Sequence, residues 1–179
     1  RSKYRDPRAL ILAPTRELAI QIADEFHGYG RQLALRQAVI FGGVSQHTQT
    51  KNLRRGVDII IATPGRLLDL MDQGHVVLDE IEHLVLDEAD RKLDMGFIRD
   101  VRKIIAELPR ERQTQLFSAT MPTEISTLAT EIPKDPVRDE LPPKAVALEV
   151  SRKGIHFVQP QLKPYPLSNL PCDNTCSPV

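Results

Sequence analysis

The chain has 179 residues, 41% of them hydrophobic and 27% charged, enough for one domain with a real core and ordinary for a soluble globular protein. Lysine plus arginine equals aspartate plus glutamate, 24 of each, which excludes a blanket basic surface and makes any nucleic-acid contact local. Tryptophan is absent and aromatics make up 4%, so base stacking is not expected as the main binding mode, and no apolar run approaches the length of a membrane span.

The opening "RSKYRDPRAL" lacks an initiator methionine and a signal-peptide core, and it reads as the middle of a longer chain. Five short apolar runs follow: "ALILA" (9–13), "QAVIF" (37–41), "VDIIIA" (57–62), "HLVLD" (83–87) and "QLFSA" (115–119). Each is nearly continuous rather than alternating, the pattern of parallel strands covered on both faces. Between the first two, Leu18, Ile22 and Phe26 recur every four residues behind Thr15, a good N-cap, which predicts a helix. Ser45 is placed to cap a second helix ending near Gly56, and Pro64 and Gly74 bracket a third, "PGRLLDLMDQ". "MGFIRDVRKIIAEL" and "PTEISTLATEI" complete the set. Repeated strand–helix alternation predicts an α/β, doubly wound parallel sheet with helices on both faces.

The end of the chain changes character. Seven of its 14 prolines lie from Pro142 onward, without sustained periodicity. Residues 1–138 are therefore read as the folded part, and 139–179 as a linker, an irregular Pro-rich tail or the product of a shifted reading frame. Cys172 and Cys176 in the tail have no histidine close in sequence. They read as free thiols of a reducing compartment, not as a zinc site. None of the five histidines has ligand spacing.

In open α/β sheets ligands bind beyond the carboxyl ends of the strands. Here those ends carry Pro14, Thr15, Arg16 and Glu17; Gly42 and Gly43; Thr63, Pro64, Gly65 and Arg66; Asp87, Glu88 and Asp90; and Ser118 and Thr120. The first three groups suit a phosphate backbone, because free N–H groups, the helix dipole and arginine attract anions and glycine permits close approach. Such contacts position a nucleic acid without reading its sequence. Asp87 and Glu88 suit a nucleotide's magnesium ion and an attacking water, and Ser118 and Thr120 are placed to bond those acids. Taken singly, "TPGR" is more often an ordinary helix start, "GG" a turn and "DEAD" an acidic N-cap. Five in order, each at a strand end, are not explained that way.

The sequence resembles the DEAD-box RNA helicase family: "APTRELAIQI" resembles motif Ia, Gly42–Gly43 the GG motif, "TPGR" motif Ib, "DEAD" motif II and "SAT" motif III, and "LDMGF" (93–97) matches as well. Order and spacing agree from Ala9 to Val137, about three quarters of the chain. The resemblance implies a first RecA-like domain of an ATP-dependent RNA helicase, with ATP, magnesium and RNA as cofactors and partners. It implies that Asp87 coordinates magnesium, that Glu88 is the catalytic base, and that Asp90, Ser118 and Thr120 complete the nucleotide site and couple it to unwinding. The RNA backbone path would be lined by Pro14, Thr15, Arg16, Glu17, Gly42, Gly43, Thr63, Pro64, Gly65 and Arg66. It also implies an intracellular setting, cytoplasmic or nuclear, without a membrane. The departures are equally plain. No glycine is followed by lysine, so the family's P-loop is expected upstream of Arg1, and the second RecA-like domain with its arginine fingers downstream. Lys92 stands where the family usually has methionine. The expectation is a fragment inactive by itself. The alternative is a non-enzymatic RNA-backbone-binding or dominant-negative module.

Overall fold

The computed structural model describes residues 6–91, 96–132 and 137–139. Two compact units divide the chain, Arg1–Val137 and Arg138–Val179. Of the second unit only residues 138 and 139 are described. The tail beyond Asp139, its two cysteines, Lys92 and most of "LDMGF" lie outside the described residues.

The described part of the first unit alternates strand and helix. Its elements are β1 (Ala9–Leu12), α1 (Arg16–Tyr29), β2 (Gln37–Ile40), α2 (Gln46–Arg54), β3 (Ile59–Ala62), α3 (Pro64–Asp72), β4 (His83–Leu86), α4 (Phe97–Ala106), β5 (Gln113–Leu116) and α5 (Thr123–Glu131). The strands form one parallel sheet in the order β2-β3-β1-β4-β5. The chain runs outward from β1 to β2, returns through β3, then crosses β1 to continue through β4 and β5. The strand order therefore reverses between β1 and β4, where open α/β sheets form their ligand crevice.

Alternate strand residues fill two cores. Leu10, Leu12, Ala38, Ile40, Ile60, Ala62, Leu84 and Leu86 pack with Leu67, Leu70, Val101, Ile104, Ile125 and Leu128 of α3, α4 and α5. Ile11, Ile59 and Ile61 pack on the other face with Ala19 and Ala23 of α1. Helices thus cover both faces. All four residues of β3 are buried, as expected for a strand with helices above and below.

The helix signals act locally as read. Thr15 Oγ1 accepts from Leu18 N–H at 3.1 Å and Ser45 Oγ from His47 N–H at 3.3 Å, satisfying first-turn donors. Pro64 opens α3, and Gly74, at φ +70°, stands just beyond its end. Two details differ from the sequence reading. The small residues Ala19 and Ala23 form the buried stripe of α1, Leu18 and Ile22 flank it, and Phe26 is 41% exposed. A close helix–sheet approach favours alanine at the line of contact. The fifth strand spans Gln113–Leu116 rather than 115–119, because its register starts opposite His83 and ends opposite Leu86. It alternates exposed and half-buried residues, as an edge strand does, instead of forming a continuous apolar run.

Candidate functional site

Cross-strand bonds carry the sheet's order past the strand ends. Thr63 N–H donates to Ile40 C=O (2.8 Å), Ala13 N–H to Ala62 C=O (2.9 Å), Asp87 N–H to Leu12 C=O (3.0 Å) and Ala89 N–H to Phe117 C=O (3.1 Å). The motif segments consequently line one sheet edge in the order Gly42–Gly43, Thr63–Arg66, Pro14–Glu17, Asp87–Asp90, Ser118–Thr120. In sequence Pro14–Glu17 comes first; in space it stands in the middle.

The three segments with phosphate-type chemistry occupy the β2-β3-β1 half. Gly43 has φ +80°, a conformation that glycine takes without steric cost, and a Cβ at Gly42, Gly43 or Gly65 would meet nothing within 4 Å. These glycines therefore leave open approach to backbone. Arg66 Nη1 donates to Val44 C=O at 3.2 Å, and its Nε lies 3.6 Å from Asp69. Arg16 lies over the ring of Phe41, 5.0 Å from its centroid. The residues on either side of Gly42–Gly43 thus each meet an arginine. Thr63 occupies the N-cap of α3 without making a side-chain cap bond, so its hydroxyl is not spent on its own helix. Arg16, Glu17, Gly42, Gly43 and Gly65 are exposed, Thr15, Thr63 and Arg66 half-buried, and Pro14 and Pro64 buried.

The acids occupy the β4-β5 half. Asp87, Glu88, Asp90, Arg91, Phe117, Ser118 and Ala119 line an open cleft of about 400 Å³. Asp87 Oδ1 accepts from Glu88 N–H at 2.9 Å. Glu88 has φ +46°, the one described non-glycine residue in the left-handed region, where a Cβ costs roughly 1–2 kcal/mol. Its Oε2 accepts from Arg91 Nη1 at 2.7 Å. Asp90 Oδ2 accepts from both the hydroxyl (2.6 Å) and the amide (2.8 Å) of Thr120. The Thr120 hydroxyl, helped by its amide, holds the Asp90 carboxyl below its ordinary pKa against the opposing effect of burial. Ser118 Oγ donates to Thr120 C=O at 2.7 Å, which shapes the turn that Asp90 grips, and Ser118 adds a smaller push in the same direction on the Asp90 carboxyl. Of the pairing expected between the acids and Ser118 and Thr120, the Thr120 hydroxyl makes the largest contribution at Asp90 and Ser118 a smaller one.

Among the described residues no group of three or more His, Cys, Asp or Glu is arranged to hold a metal. A magnesium ion carried by a nucleotide asks less of the protein, one or two carboxylates with the remaining ligands from phosphate and water. Asp87 and its neighbours fit that requirement. Sequence reasoning missed Phe41, Gln49 and Arg91. Phe41 looked like the end of a strand and Gln49 like a polar residue within a helix. Among the described residues no helix is long and apolar enough to cross a membrane.

Comparison with known proteins agrees with this geometry. The chain is 50% identical over 132 residues to DEAD-box ATP-dependent RNA helicase 30 of Arabidopsis thaliana, covering 74% of this chain and 22% of that protein. It is 48% identical over 132 residues to ATP-dependent RNA helicase DBP2 of Eremothecium gossypii, covering 74% of this chain and 24% of that one. The chain thus spans about a quarter or less of the length of these relatives. The crystal structure of a DEAD box protein from the hyperthermophile Methanococcus jannaschii matches with a TM-score of 0.68 and 44% identity, over 72% of this chain and 35% of that chain. Its likeness supports the RecA-like reading of the sheet. A family model described as DEAD/DEAH box helicase matches residues 1–128. With its five strand-end motifs in the order the fold requires, this chain belongs to the DEAD/DEAH box helicase family.

Proposed function

We propose that this chain is part of an ATP-dependent RNA helicase, supplying one RNA-backbone face and the acid end of the ATP site. Residues 1–138 are a partial first RecA-like domain, and 139–179 a linker or tail. The observation that carries the reading is the partition of one sheet edge into a phosphate-type half and an acidic half that meet between β1 and β4.

On the first half Thr15, Arg16, Glu17, Gly42, Gly43, Thr63, Gly65 and Arg66 meet the RNA backbone, through helix N-termini, glycine backbone and guanidinium. Pro14 and Pro64, both buried, shape the turns that present them. On the second half Asp87 would hold the magnesium ion of ATP, directly or through water, and that ion would supply neutralisation of phosphate charge. Glu88 orients the attacking water and accepts its proton through the carboxylate oxygen that Arg91 leaves free. Asp90 is engaged by Thr120 and links the acid loop to the strand end after β5, the route by which nucleotide state reaches the rest of the domain. RNA and ATP as partners imply an intracellular protein, cytoplasmic or nuclear.

The chain by itself does not complete the reaction. No glycine in it is followed by lysine, so the β- and γ-phosphates lack a P-loop cradle, and developing charge in the transition state needs a second RecA-like domain. Phosphate release by residues 1–179, with and without RNA, tests this. The expected result is no RNA-stimulated hydrolysis; clear release that Glu88→Gln abolishes overturns it. A salt-dependent RNA titration tests the other half. Affinity that falls with salt, and is weakened in Arg16→Ala and Arg66→Ala, supports the backbone face. Such binding without hydrolysis also fits the alternative, an RNA-binding or dominant-negative module. A flat titration excludes that module.

A further inference from the structure

Arg16 is held in an unusual way for a surface cation. Among the described residues it makes no ion pair, and its guanidinium lies over the Phe41 ring, 5.0 Å from the centroid. A cation over a ring face spends none of its N–H donors on an acceptor and so leaves them available to a phosphate. The backbone of Phe41 is itself held by a side chain of α2. Gln49, 6% exposed in α2, donates from Nε2 to Phe41 C=O at 3.0 Å, while its Oε1 has no partner among the described residues. A buried amide with one oxygen unsatisfied is costly, and the bond it does make fixes the backbone from which Phe41 projects.

From this chain of contacts we infer that Phe41 is a positioning residue for RNA binding, holding the Arg16 guanidinium over its ring and open toward a backbone phosphate, with Gln49 fixing the Phe41 backbone in turn. The inference rests on the reading of Arg16 as an RNA-backbone contact. It gives the residue before Gly42–Gly43 a task separate from the turn itself. The glycines admit the backbone, and the aromatic residue before them aims the cation. Tyrosine keeps a ring face at this position, and leucine keeps only the bulk.

The test is a titration of a short fluorescein-labelled oligouridylate RNA with the full 179-residue chain, at several salt concentrations. Phe41→Leu is expected to weaken binding about two- to five-fold, the range of an exposed cation–π contact, and Phe41→Tyr to restore it. In an Arg16→Ala background Phe41→Leu should have no further effect. If Arg16→Ala weakens binding while Phe41→Leu binds like the wild type, or if the Phe41→Leu loss persists without Arg16, the positioning role is wrong and the RNA reading stands. If Arg16→Ala changes nothing, the RNA reading falls and this inference with it. A measurement without RNA guards against misfolding of Phe41→Leu: the Arg16 Nε–H proton of the wild-type chain should be shifted upfield by the ring and should stay so in Phe41→Tyr. An unshifted proton overturns the stacking.

Discussion

Thr120 gives both its amide and its hydroxyl to a single oxygen of Asp90, at 2.8 and 2.6 Å, across 30 residues of chain. This grip, with the Ala89 N–H bond to Phe117 C=O, joins the acid loop after β4 to the end of β5. Thr120 is exposed, so water competes for the same acceptor, and Thr120→Val is expected to cost only about 0.5–1 kcal/mol. Thr120→Ser should retain most of the contact. Urea unfolding of the two variants checks this, and equal midpoints would remove the hydroxyl from the account.

The same grip sets a pH dependence. Hydrogen bonds from Thr120 lower the Asp90 pKa in the folded chain. The stability they confer is therefore full above the carboxyl's unfolded value and is lost as pH falls through the depressed folded value. Asp90→Asn should lower stability at neutral pH and flatten this part of the acid limb. An Asp90 carboxyl carbon that titrates in the ordinary range by NMR would contradict the assignment.

Glu88 sits at φ +46°, so glycine and alanine should differ there more than chain entropy allows. Both variants remove the bond to Arg91, which cancels in the comparison. Glu88→Gly is expected to be more stable than Glu88→Ala by about 1 kcal/mol, the cost of a Cβ in the left-handed region. Thermal unfolding of the pair decides, and alanine equal to glycine means the loop relaxes.

Leu86 is fully buried at the end of β4, immediately before Asp87. Leu86→Ala should destabilise the fold by about 2–5 kcal/mol and loosen the acid loop along with the core. Hydrogen exchange at Asp87 N–H, which bonds to Leu12 C=O, should accelerate together with global unfolding. Unchanged stability would mean that the core refills the space.

Among the described residues β5 has a strand neighbour only on the β4 side, with Gln113 and Gln115 exposed and Phe117 54% exposed just beyond. An open edge of this kind invites strand pairing between chains. Gln115→Lys should reduce light scattering during refolding without lowering the unfolding midpoint. If scattering is unchanged, association runs through another surface.

Much of this protein follows from local physics, and its sequence states that part openly. Apolar runs specify buried strands, Thr15 and Ser45 cap helices, Pro64 and Gly74 bracket one, and polar residues at five strand ends mark a single functional edge. These features depend on neighbours a few residues away. Tertiary structure decided the rest. Sequence order does not give lateral order in a parallel sheet, because each crossover can return to either side of the strand it left. Only the folded chain shows that Pro14–Glu17 stands between the glycine and acid groups. The same holds for pairings made by convergence of distant segments: Thr120 with Asp90, Arg16 with Phe41, and Gln49 with the Phe41 carbonyl. Burial of Ala19 and Ala23 in place of Phe26, and the polar edge character of β5, likewise follow from which surfaces meet. Hydrophobicity says that a residue seeks cover, and the packing of the whole sheet determines which residues receive it.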